Sequence, residues 1–190
     1  MGVVPTDETQ RDPDALLLER IASGDQRAFT ALVDRHGRGI RIFAGRFLGN
    51  AEDGADVAQE VFLTVWRKAS GFDPARGKAS TWLYRIAANR CTDIGRRRAV
   101  LAFFGLGDDA CQIAADAPDA EAILSGRQAL ALARRGISEL PARQRMALLL
   151  SVAAGLDTPD IAKAMDTSRG SVEQLLVRAR RTLRETVDRA

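Results

Sequence analysis

Apolar residues recur three or four positions apart along most of this chain, and the recurrence stops in one stretch near the middle. Val57, Val61 and Val65 form one stripe; Val172, Leu175, Leu176, Ala179, Leu183 and Val187 form another. The spacing matches the turn of an α-helix, whereas a half-buried strand would alternate every second residue. After Gly107 the pattern gives way to Asp108, Asp109, Asp116, Asp119 and Glu121 among Ala, Gly and Pro118. Such a composition buries little and suits a linker. Hydrophobic residues are 46% of the chain but aromatic ones only 5%, so Leu and Ala carry the stripes, which favours helix over sheet. The expected fold is all-α: two small helical domains, residues 14–98 and 123–190, joined by a flexible acidic linker over residues 99–122.

Turn and cap residues divide the two blocks. Asp14 is a candidate cap for a helix carrying Leu16, Leu17 and Ile21. Gly24 and Asp25 interrupt the stripe, Ala28, Phe29, Leu32 and Val33 resume it, and Ile40, Ile42, Phe43 and Phe47 carry it to Gly49 and Asn50. A third helix spans about Ala51 to Lys68. Gly71 to Ser80 reads as a loop, and the helix after it runs from near Trp82 to about Gly95. Phe103, Phe104 and Leu106 open the linker zone, placed to dock on a partner or to cap the first block. In the second block Pro141 fits the first turn of a helix that Gly155 closes. Ile161, Ala162 and Met165 mark a shorter helix, and the stripe from Val172 marks the last.

Several function classes are excluded early. Cys91, Cys111 and the single His36 cannot supply an ordinary four-ligand zinc site, and no cofactor motif is present, so neither metal nor cofactor is expected. Unpaired thiols point to a reducing, cytoplasmic compartment. The N-terminal MGVVPTDETQRDPD is polar and acidic where a secretory signal would be basic and then apolar, and no apolar run is long enough for direct membrane insertion. Carboxylates occur without a nucleophile, metal cluster or phosphate loop beside them, so the chain is not expected to be an enzyme.

Charge is more informative in kind than in amount. Lys and Arg total 28 against 25 acidic residues, a net charge of +3, yet Lys occurs only at positions 68, 78 and 163. Arg presents a donor fork that fits phosphates and guanine edges, although a GC-rich genome produces the same bias. On the helix after the loop, Trp82, Arg85, Asn89 and Asp93 share one face, and Arg96, Arg97 and Arg98 follow. An aromatic ring, an amide and clustered guanidiniums suit single-stranded DNA, but they also suit a helix start and a solvated helix end. The third helix presents Glu52, Asp53, Asp56, Gln59 and Glu60 beside Phe62 and Trp66, a face that repels DNA and fits a basic protein surface or plain solvent.

The terminal segment is the sharpest of these. Asp160 to Met165, a short turn and the helix after Ser168 make a helix-turn-helix, whose second helix enters a DNA major groove by its start. Thr167 or Ser168 caps that helix, and Ser168, Arg169, Ser171, Glu173 and Gln174 lie at its start, with Arg178, Arg180, Arg181 and Arg184 beyond. Gln pairs with adenine and Arg with guanine. A hairpin used only for packing has the same periodicity.

Taken together these segments resemble a bacterial sigma factor of the extracytoplasmic-function group, within the sigma-70 family. GDQRAFTALVDRH (Gly24 to His36) is similar to the start of region 2, and AEDGADVAQEVFLTVWRKA (Ala51 to Ala69) to its polymerase-binding segment. FDPARGKASTWLYRIAANRCTDIGRRR (Phe72 to Arg98) resembles the part that melts and reads the −10 element. ELPARQRMALLL and the helix-turn-helix resemble region 4, which reads the −35 element.

The resemblance implies promoter-directed initiation with core RNA polymerase, bound through its β and β′ subunits, on promoter DNA, and an inhibitory anti-sigma partner. Asp53, Asp56, Gln59, Glu60, Phe62 and Trp66 would belong to or border the polymerase-binding surface. Lys78, Ser80, Thr81, Trp82, Arg85, Asn89, Arg96 and Arg97 would serve the −10 element, and Ser168, Arg169, Ser171, Val172, Gln174 and Arg178 the −35 element. The alternative is a helix-turn-helix regulator that acts without polymerase. The recognition helix departs from the group's usual Gly-Thr-Val-Lys-Ser-Arg start: Gly170-Ser171-Val172-Glu173-Gln174-Leu175 loses two positive groups and gains an acid. Weaker phosphate attraction and a different −35 preference are expected from that change.

Overall fold

The computed structural model describes residues 12–104 and 124–187, and the side chains of these except 124–131 and 187. The acidic stretch from Asp108 to Glu121, with Leu106 and Cys111, lies outside the described residues. Eight α-helices are described: α1 (Pro13–Ala22), α2 (Gln26–Leu48), α3 (Ala51–Lys68), α4 (Ala79–Phe103), α5 (Leu124–Glu139), α6 (Ala142–Val152), α7 (Thr158–Ala164) and α8 (Arg169–Val187). Two 3-10 turns, Ala69–Gly71 and Pro74–Arg76, form the loop before α4.

Local signals set most of these boundaries. Asp25 caps α2 by accepting from the N–H groups of Arg27 and Ala28 at 2.8 and 3.1 Å. The bond from Ala28, with the Arg20 guanidinium beside it, holds the Asp25 carboxyl below its ordinary value. Gly49 ends α2 in the left-handed region at φ 77, and Asn50 then caps α3. The first cap differs from the sequence expectation. Asp12, followed by Pro13, accepts from the Asp14 N–H, while Asp14 itself is buried in the first turn. There its carboxylate receives Arg35 and the His36 ring, the latter at 2.7 Å, so it ties α1 to α2 instead of capping.

α2 and α3 cross with their backbones in contact. A Cβ on Gly54 would lie 2.5 Å from the Arg41 carbonyl oxygen and 2.8 Å from the Gly45 nitrogen. Only glycine permits that approach. Leu32, Ile40 and Phe43 of α2 meet Val57, Val61 and Val65 of α3 and Leu83, Ala87 and Cys91 of α4, all essentially fully buried. In the C-terminal half, Met146, Leu149 and Leu150 of α6, Ile161 of α7 and Val172 and Leu176 of α8 are buried, and they join the same contiguous core.

α4 continues past Gly95 to Phe103. One glycine inside a helix costs only about 1 kcal/mol, and Arg96 to Ala99 are good helix formers with no proline among them. The helix therefore carries the basic run outward and ends with Val100, Leu101, Phe103 and Phe104 exposed, Phe103 at 85%.

Candidate nucleic-acid interface

Ala79, Leu83, Ala87 and Cys91 anchor α4 in the core, so the opposite side of the helix faces out. Arg85, Asn89 and Asp93 are exposed there. Trp82 is half-buried and packs on Phe72 of the preceding loop, ring centroids 5.7 Å apart. Trp82, Arg85 and Asn89 line a cleft of about 370 Å³ with Glu60, Thr64 and Lys68 of α3. An aromatic edge, an amide and a guanidinium thus converge on one concave surface, a set suited to holding an unstacked base. Lys78 stands exposed at the α4 N-cap position, Ser80 is half-buried, and Arg96 and Arg97 are exposed one turn beyond Asp93.

The α3 face is built differently. Asp56, Gln59, Leu63 and Trp66 are exposed along one stripe. Trp66 packs edge-on against Phe29 of α2 at 5.2 Å, which holds its ring at the surface. Asp53 receives Arg98 in a two-oxygen contact at 2.7 Å, and Glu60 receives Arg90. The Glu60 hydrogen bond holds the Arg90 guanidinium more firmly protonated than usual. Two of the five arginines of α4, Arg90 and Arg98, therefore pair with two of the four acids of α3, Glu60 and Asp53. The open acid-and-apolar stripe of α3 and the open basic side of α4 remain distinct surfaces.

In the C-terminal half, α7 and α8 are joined through residues 165–168, with Asp166 at φ 48. Asp157 caps α7 by accepting from the Asp160 N–H at 2.9 Å, with Pro159 in the first turn. That bond keeps the Asp157 carboxyl below its ordinary value. The Ser168 hydroxyl accepts from the Ser171 N–H at 3.2 Å and caps α8. Arg169, Gln174 and Arg178 are exposed, and Ser171 is half-buried. Arg169 donates to Glu173 at 2.9 Å, so the acid of the departed motif sits directly on the first guanidinium of the helix.

Three residues expected at contact surfaces are in the core instead: Phe62 at 6% exposure, Thr81 at 4% and Val172 at 0%. Phe62 packs edge-on against Phe29, and Val172 holds α8 on its neighbours. Each supports its surface from beneath. Sequence reasoning also passed over Leu63, exposed beside Trp66, and Asp160, buried at 5% exposure. Asp160 receives the Lys78 amine at 2.8 Å, 82 positions away, and that bond raises the Lys78 amine above its ordinary value. Among the described residues no cluster fits a metal ion, and no helix is long and apolar enough to cross a membrane.

Comparison with known proteins bears on this arrangement. Sigma-70 region 2 matches residues 32–100 and sigma-70 region 4 matches residues 130–183. The chain is 34% identical to the RNA polymerase sigma factor NccH of Alcaligenes xylosoxydans xylosoxydans, over 92% of this chain and 95% of that one. It is 35% identical to CnrH of Cupriavidus metallidurans, over 93% and 95%. Its structure resembles that of CnrH in complex with the cytosolic domain of CnrY, at a TM-score of 0.69 and 28% identity, covering 92% of this chain and 97% of that one. It also resembles the sigma factor RpoE in complex with the anti-sigma factor NepR from Bartonella quintana, at a TM-score of 0.72 over 84% and 96%; the 21% identity there speaks to the fold alone. With both regions matched in order and relatives aligned over nearly their whole length, the chain belongs to the sigma-70 family of RNA polymerase sigma factors, in its extracytoplasmic-function group.

Proposed function

We propose that this sigma factor binds core RNA polymerase through the exposed α3 stripe of Asp56, Gln59, Leu63 and Trp66. It then directs the enzyme to promoters by reading one element with α4 and a second with α8. The single observation that carries this reading is the separation of two surfaces on one half: an acidic and apolar α3 face beside a basic, aromatic α4 face. A repressor that bound duplex by its helix-turn-helix would need neither. The matched spans support a division into residues 14–98 and 123–190 joined by a stretch whose first residues, 99–103, continue α4, and family membership supports a role without catalysis. On α4, Lys78, Trp82, Arg85, Asn89, Arg96 and Arg97 serve the opened −10 strand. On α8, Ser168, Arg169, Gln174 and Arg178 serve the −35 duplex.

An anti-sigma partner is part of the same proposal, supported by the two relatives whose structures hold CnrY and NepR. Transcription with purified core enzyme tests the main reading. The chain is expected to co-migrate with core and to produce promoter-specific transcripts. Binding of duplex DNA with no effect on polymerase would favour the regulator reading instead.

A further inference from the structure

The first cation of α8 stands in an order that helix stability does not favour. Arg169 occupies the first helical position, and Glu173 lies one turn later on the same face. The positive end of the helix dipole disfavours a cation there, and an acid is better placed before its basic partner than after it. Even in the favourable order an exposed pair of this kind contributes little. The stability of α8 therefore does not account for the pairing. Arg181 and Glu185 repeat the order toward the other end of the helix, but at 3.6 Å they fall short of a hydrogen bond.

The atoms in contact decide what remains free. Arg169 Nε donates to Glu173 Oε1 at 2.9 Å. That uses one N–H of the guanidinium and leaves the two terminal nitrogens, which form a fork of donors. In the major groove only guanine offers such a fork two acceptors side by side, O6 and N7; adenine offers one acceptor and one donor. A phosphate also fits a fork, but the Glu173 carboxylate beside the guanidinium repels it, whereas a guanine edge carries no net charge. Both side chains are open to solvent, Arg169 at 70% exposure and Glu173 at 52%. A Cβ on Gly170 would meet nothing within 4 Å, so this corner of the helix is clear for close approach. Ser168, by contrast, is used within the protein, accepting from the Ser171 N–H at 3.2 Å. An unheld arginine loses many rotamers when it is fixed on a ligand, and a partner that holds it beforehand removes part of that cost.

Given the proposed role of α8 on the −35 duplex, on which this inference rests, we propose that Arg169 reads a guanine of that element and that Glu173 is the positioning residue that presents its fork. The pair then sets the preference at one G·C base pair. Core polymerase carrying the chain is offered a fully randomised duplex library, and sequencing of the bound pool gives a base preference at each position. Arg169→Lys keeps the charge and loses the fork. It is expected to lower the preference for guanine about tenfold at one position and to leave the other positions alone. Glu173→Ala is expected to lower it about threefold at that same position, since the arginine must then be ordered on binding. Glu173→Gln keeps an oxygen for Nε and is expected to retain the preference, although both changes remove the acid's charge and strengthen binding to every sequence alike. Glu185→Ala removes an acid from the far end of the same helix and is expected to move no base preference. Each of these side chains is more than half exposed, so no core is lost. A guanine preference unchanged in Glu173→Ala, or lowered equally in Glu173→Gln or Glu185→Ala, overturns the positioning role. An enriched motif with no position that answers to Arg169→Lys overturns the guanine assignment alone. A pool with no enriched position, from chain that co-migrates with core, overturns the proposed role of α8 as well.

Discussion

Asn89 is the residue on which the α4 surface turns. It is exposed, it lies between Arg85 and the Arg96–Arg97 pair, and it borders both the Trp82 cleft and the cleft between the halves. An amide there offers both a donor and an acceptor to an unstacked base. Asn89→Ala is expected to reduce promoter opening about tenfold, a loss of roughly 1.4 kcal/mol in the range of one base contact. Core binding is expected to be unchanged. Permanganate reactivity of opened thymines and a core pull-down separate the two, and equal loss in both would assign Asn89 to polymerase. On the opposite face of the same helix, burial and the nearby Asp53 charge push the Cys91 thiol up to about 12. It remains protonated and resists alkylation until denaturant opens the fold. The linkage has a definite sign. Below about pH 9 both folded and unfolded chains keep the thiol proton. Between about 9 and 12 only the unfolded chain loses it, so Cys91 lowers stability as pH rises through that window. Urea titrations of the natural chain and Cys91→Ala should diverge there and run parallel below it.

Among the elements, α8 pairs an acid with its own first cation. Arg169 sits in its first turn, where the helix dipole disfavours a cation, and Glu173 one turn later offsets that charge at 2.9 Å. The cation in the first turn of α8 is thereby paired with an acid. Glu173→Gln is expected to tighten binding of mixed-sequence duplex about two- to fivefold and to steepen the salt dependence by about one phosphate contact. Titration at several salt concentrations checks this, and an unchanged slope would show that Arg169 never reaches phosphate. How legible each element was in the sequence follows from the range of its signals. The bounds of α3 could be read from Asn50 and the valine stripe, and those of α2 from Asp25 and Gly49, because caps and periodicity act within one turn. The true end of α4 could not: Gly95 looks like a stop, but neighbouring helix formers override it. The cap of α1 carried a local signal, Pro13 directly after Asp12, but nothing local shows that Asp14 is taken up by Arg35 and His36 of α2.

For the molecule as a whole, the sequence revealed two helical blocks and their order, but not that they share one core. Residues such as Met146, Ile161 and Val172 have the periodicity of any amphipathic helix, and nothing local says that part of their packing reaches α2 and α4. The same holds for the candidate site. Trp82, Arg85, Asn89, Gln174 and Arg178 were legible because exposed polar faces stand out against an apolar stripe. The pairs Asp53–Arg98, Glu60–Arg90 and Lys78–Asp160 were not, since partners 30 to 82 positions apart leave no mark on local pattern. That Phe62, Thr81 and Val172 lie buried was not legible for the complementary reason: a matching motif does not say which of its members face outward. On this reading the chain turns core polymerase into a promoter-selective enzyme. Transcription of fragmented genomic DNA with purified core, with and without the chain, followed by sequencing of transcript 5′ ends, tests it most directly. Discrete start sites that require the chain and share two spaced upstream elements are expected. Start sites identical with and without it, from chain shown to be folded and present in excess, would contradict it.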